Sequence, residues 1–100
     1  PETGFDCSGY VCWVYNQNGY DVGRTTANGL WQKSQHISEA EAKPGDLVFF
    51  AGTYDTPGKS HVGIYLGNGM MVSAGDPIKY ANIHSSYWEK YLAGFGRLSK

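Results

Sequence analysis

The run Asp46-Leu47-Val48-Phe49-Phe50-Ala51 limits what this chain can fold into more than any other stretch. After Asp46 it is unbroken, apolar and rich in β-favouring residues, the pattern of a strand covered on both faces. Lys43-Pro44-Gly45-Asp46 is a turn signal, since proline presets one central dihedral and glycine permits a positive one, so the strand starts at once. Ser60 to Leu66 reads as a second strand with His61 near its entrance. Gly67-Asn68-Gly69 then turns it tightly into Met70-Met71-Val72-Ser73-Ala74, because asparagine and glycine tolerate the positive φ of such turns. His61 and Ser73 therefore belong near the same end of adjacent antiparallel strands.

Ahead of the strands, Tyr10, Val11, Val14 and Tyr15 recur at three- and four-residue spacing and Gly19 offers a left-handed stop, which predicts a helix from Cys7 to about Asn18. Asp6 is then the N-cap, and Cys7 falls where first-turn amides and the helix dipole favour an anion. Such a position, with a nearby imidazolium, lowers a thiol pKa from about 8.5 into the range of roughly 3.5 to 7.5. The same amides would serve as an oxyanion hole. A cysteine at a helix mouth and a histidine at a strand entrance are a nucleophile and its base, so the pattern predicts a cysteine hydrolase.

Arg24 to Lys33 predicts a short second helix, capped by Thr25 or Thr26 and weakened by Gly29, with Leu30 and Trp31 inward. Ser38 to Ala42 is a polar connection, Gly52 to Lys59 a polar loop and Gly75 to Ile83 an irregular segment. A short helix from about Ser85 to Leu92 and a last strand through Phe95 to Leu98 complete the chain. Helices early and antiparallel strands late define an α+β domain with the first helix packed on a sheet, an arrangement that sets Cys7 opposite His61.

One hundred residues, 41% of them apolar, suit a single domain with one core. A formal charge of -1 provides no basic face for nucleic acid or an anionic membrane surface. The longest apolar stretch, Leu47 to Ala51, falls far short of the roughly 20 residues a membrane helix needs. Cys7 and Cys12 stand five residues apart, about 7.5 Å of helical rise against a bridging limit of roughly 7 Å, so no disulfide joins them within a helix. Cys12, among Val11, Trp13 and Val14, reads as a small buried hydrophobe. Two cysteines and the scattered His36, His61 and His84 lack the spacing of a zinc site, and no metal or cofactor is expected.

Phe5-Asp6-Cys7-Ser8-Gly9, Lys43 to Phe50 and His61-Val62-Gly63-Ile64-Tyr65-Leu66-Gly67-Asn68-Gly69 together resemble the NlpC/P60 family of cell-wall cysteine peptidases, over nearly the whole chain. Gly75-Asp76-Pro77-Ile78 and Ser85-Ser86-Tyr87-Trp88 further resemble the endopeptidase domain of two-domain cell-wall hydrolases from Gram-positive conjugative elements. The resemblance implies a papain-like α+β fold and hydrolysis of peptidoglycan stem peptides between γ-D-glutamate and the diamino acid. Cys7 matches the nucleophile and His61 the base, while Asp6 and Ser8 match parts of a pocket for the stem peptide's free amine. It also implies a bacterial, secreted or wall-associated monomer. Residues 1–100 would then be one domain excised from a longer protein, without the family's preceding segment.

Twelve positions after the base the family carries a third polar residue, usually histidine, that orients the imidazole; here it is Ser73. A serine hydroxyl is shorter and would need a bridging water. The alternative is therefore a catalytically impaired module that binds stem peptides without cutting them. His36 and His84 are expected to be exposed or locally hydrogen-bonded, with His84 a remote substitute for the third residue. Tyr87, Trp88 and Tyr91 are expected to pack inward, and Tyr54 and Asp76 to rim the groove.

Overall fold

The computed structural model describes residues 7–52, 58–73 and 79–99, excluding the side chains of Cys7 and Lys79. Helix α1 spans Cys7–Gln17, with Val11 and Tyr15 buried and Tyr10 and Val14 packed beside them. Gly19, at φ 88°, ends it in the left-handed conformation expected of a glycine stop. Helix α2 spans Ala27–Lys33, shorter than the sequence suggests: Thr26 caps it by accepting a hydrogen bond from the Gly29 amide, which leaves residues 24 and 25 outside. Leu30 points inward, and Trp31 lies half-buried against Phe49.

Six strands form one antiparallel sheet in the order β1-β6-β2-β3-β4-β5: β1 Gln35–Ile37, β2 Leu47–Ala51, β3 Lys59–Gly67, β4 Met70–Ser73, β5 Lys79–Asn82 and β6 Leu92–Arg97. The central β2 is covered on both faces, as its unbroken apolar run requires. Leu47 and Phe49 join Val62, Ile64 and Val72 beneath α1 and α2. Val48 and Phe50 join Tyr65, Met71 and Phe95 on the opposite face, beneath helix α3, Ser86–Tyr91. The tight turn between β3 and β4 places Gly67, Asn68 and Gly69 at φ 90°, 54° and 78°.

Besides α2, and β6, which starts at Leu92 rather than near Phe95, three segments differ from the sequence expectation. Residues 79–82 form edge strand β5, paired with β4 from Met70↔Asn82 to Ser73↔Lys79. Residues 35–37 pair with β6 as the opposite edge, and the Ser38 connection becomes a 3-10 turn over Glu39–Glu41, closed by a capping box. Of the three aromatics on α3, Trp88 and Tyr91 pack inward but Tyr87 is 54% exposed. Tyr87 stands edge-on against both of its neighbours, so its ring is occupied on the surface without entering the core.

Candidate active site

Two independent links tie α1 and the segment that follows it to β3. At the far end of α1 the Tyr15 hydroxyl donates to the Gly45 carbonyl, and the Gly45 amide donates in turn to the Tyr65 carbonyl on β3. From Tyr15 back to Cys7 is about 12 Å of helix, and from Tyr65 back to His61 about 13 Å of strand. The first turn of α1 and the His61 end of β3 are thus similar path lengths from this shared contact. The 24–28 segment adds a second link: Arg24 Nη1 donates to Ser8 Oγ at 3.4 Å, while the Lys59 amide donates to Asn28 Oδ1 at 3.1 Å. Arg24 also donates to the Thr25 carbonyl at 2.6 Å. Neither Arg24 nor Asn28 carries a signal in the sequence that marks it for this place.

Cys7 opens α1. Its side chain and the whole of Asp6 lie outside the described residues, as do Tyr54 and Asp76. Ser8, the other residue of the expected amine pocket, is 5% exposed in the first turn. Cys12 is buried in the core with its sulfur 3.8 Å from the Thr25 carbonyl, the setting of a structural thiol.

His61 is 5% exposed and packs against aromatic rings of β2 and α3. Its ring meets Phe50 at 5.8 Å and Trp88 at 4.8 Å between centroids. Burial pushes its pKa down to about 4, so the free imidazole is neutral at pH 7 and able to accept a proton. Its buried Nε2 has no hydrogen-bond partner among the described residues. Ser73 is buried on the same face, one diagonal step from His61 across β3 and β4 by the Ile64↔Val72 register. The structure brings the two onto one face but forms no hydrogen bond between them.

The other histidines stand apart. His36 is exposed, stacked on Trp31 and bonded through Nε2 to the Trp31 carbonyl. His84 bridges Glu39 at 2.6 Å and Glu89 at 3.0 Å, so the remote possibility that it replaces the third residue is lost to those partners. Their hydrogen bonds raise its pKa, Glu39 contributing most. Among the described residues, no group of three or more His, Cys, Asp and Glu side chains could hold a metal ion, and no helix is long and apolar enough to cross a membrane.

Helices on both faces of an antiparallel sheet, with a cysteine opening the first helix and a buried histidine entering the strand beside it, define an α+β domain of papain-like arrangement. The NlpC/P60 family model matches residues 1–97, and the chain belongs to that family. It is 48% identical over 99 residues to the bifunctional muramidase/DL-endopeptidase CwlT of Bacillus subtilis, covering 98% of this chain and 30% of CwlT. It is 53% identical over 97 residues to the probable endopeptidase p60 of Listeria monocytogenes, covering 96% of this chain and 19% of p60. A crystal structure of a lipoprotein-like NLP/P60 protein from Staphylococcus aureus superposes with a TM-score of 0.92 at 42% identity, covering all of this chain and 34% of that one. The chain thus spans less than a third of the length of these two curated relatives.

Proposed function

We propose that this domain is a cysteine endopeptidase that cuts peptidoglycan stem peptides between γ-D-glutamate and the following diamino acid, at or outside the bacterial cell surface. The observation that supports the reading is the double link between α1 and β3, through Tyr15 and Gly45 at one end and through the 24–28 segment, which bonds Ser8 next to Cys7 and Lys59 two residues before the buried His61, at the other. The family match and the relatives' names, DL-endopeptidase for CwlT and endopeptidase for p60, supply the reaction class.

In this mechanism His61 takes the Cys7 proton, and the thiolate attacks the amide carbonyl. First-turn amides of α1 receive the charge that develops on oxygen. The C–N bond breaks as His61 returns its proton to the leaving amine, and water, deprotonated by His61, hydrolyses the thioester. Ser73 would steady His61 through a bridging water, and Asp6 and Ser8 would hold the stem peptide's amine.

Iodoacetamide tests the assignment. It should modify Cys7 well before the buried Cys12, and the singly alkylated protein should release no fragments from muropeptides. Equal rates at the two thiols, or retained cleavage after Cys7 is blocked, would contradict it. The missing hydrogen bond between Ser73 and His61 favours one second reading, a stem-peptide binding module with an impaired site. Ser73→His separates the two: a large gain in turnover marks an impaired peptidase, while an inactive protein that stays inactive favours the binder.

A further inference from the structure

Three rings meet at the buried face of His61. Phe50 on β2 is fully buried, Trp88 on α3 is half-buried, and the two are 4.8 Å apart between centroids. Trp88 lies 4.8 Å from the imidazole with 33° between the planes, nearer to parallel than Phe50 at 57°. The buried Nε2 of the imidazole has no hydrogen-bond partner among the described residues. The last side-chain torsion of histidine is broad, so a ring whose Nε2 makes no hydrogen bond depends more heavily on packing for its orientation.

The Trp88 ring is itself held from several directions. Tyr87 packs edge-on against it at 4.9 Å. The Glu89 amide donates to the Ser85 carbonyl to close the helix start, and His84 ties Glu89 on α3 to Glu39 on the 3-10 turn. The surface against which His61 rests is therefore fixed before substrate arrives.

We infer that Trp88 is a positioning residue, holding the plane of the His61 imidazole by ring packing where Ser73 makes no direct hydrogen bond to it. The inference rests on His61 being the base of the proposed peptidase. Aromatic packing of this kind shifts an equilibrium roughly 2- to 10-fold beyond simple burial, so an unsupported imidazole would lose a comparable factor in aligned population.

Trp88→Leu removes the flat face while keeping an apolar cover, and Trp88→Phe restores a face. The leucine variant should lose roughly 2- to 10-fold in kcat on muropeptides with KM unchanged, and the phenylalanine variant should stay within about twofold of wild type. Proton NMR provides a readout that needs no turnover: the His61 ring protons should be displaced further upfield in wild type and in Trp88→Phe than in Trp88→Leu, where Phe50 is the one ring left against the imidazole. A folded leucine variant with wild-type kcat, or wild-type His61 protons without the upfield displacement, would overturn the inference. Should Trp88→Leu not fold, the wild-type and Trp88→Phe spectra still decide ring placement. A wild type that cleaves no muropeptide refutes the peptidase reading, whereas cleavage that Trp88→Leu leaves untouched refutes this inference alone.

Discussion

Burial of His61 makes folding sensitive to acid over a defined interval. An unfolded histidine titrates near pH 6.5, whereas His61 in the folded domain titrates at about 4, because burial penalises its charged form. The unfolded chain therefore binds the proton first, and the stability present above about pH 6.5 is lost as pH falls toward 4. The gap corresponds to a loss of about 2 kcal/mol by pH 5 and about 3 kcal/mol by pH 4, a large part of the roughly 5–15 kcal/mol total typical of folded proteins. A Cys7 thiolate would hold the imidazolium and mask the effect, so the measurement belongs in the Cys7→Ala background. Urea unfolding of Cys7→Ala and of Cys7→Ala/His61→Gln at pH 7 and pH 5 isolates the His61 contribution, since every other group titrates in both proteins. Cys7→Ala should lose about 2 kcal/mol more than the double variant over this interval. Equal losses would show that His61 is not buried as described and would refute the reasoning.

Gly96 on β6 leaves no room for a side chain: a Cβ there would lie 2.7 Å from Ser34 Cβ and 3.0 Å from the Phe49 ring. Gly96→Ala should cost about 1–3 kcal/mol in urea denaturation, and an unchanged midpoint would contradict that packing. His84 has the opposite pH sense to His61. Its folded pKa is raised by Glu39 and Glu89, so its contribution is fully present below the unfolded value near 6.5 and is lost as pH rises through the raised value. Glu39→Gln should lower the His84 titration point in a proton NMR series, and an unmoved titration would mean that the bridge does not form in solution.

What was legible in the sequence was what local chemistry decides. The stop at Gly19, the Lys43-Pro44-Gly45-Asp46 turn, the doubly covered run 47–51 and the Gly67-Asn68-Gly69 turn each depend on residues adjacent in the chain. The placement of His61 and Ser73 near one end followed from that register. Edge strands β1 and β5 were not legible, because three or four residues with no clear alternation become strands only when a neighbour offers its backbone. The surroundings of His61 were hidden for the same reason. Phe50 and Trp88 are 11 and 27 positions away in the sequence and meet His61 only across the sheet and under α3. The tether through Arg24 and Asn28 likewise arises only once α2 has docked.

The central claim is that Cys7 and His61 together cut stem peptides. It is met most directly by digesting purified muropeptides with wild type, Cys7→Ala and His61→Ala and reading the products by mass spectrometry. The account predicts new fragments ending in γ-D-glutamate from the wild type alone. Fragments of the same kind from Cys7→Ala would contradict it.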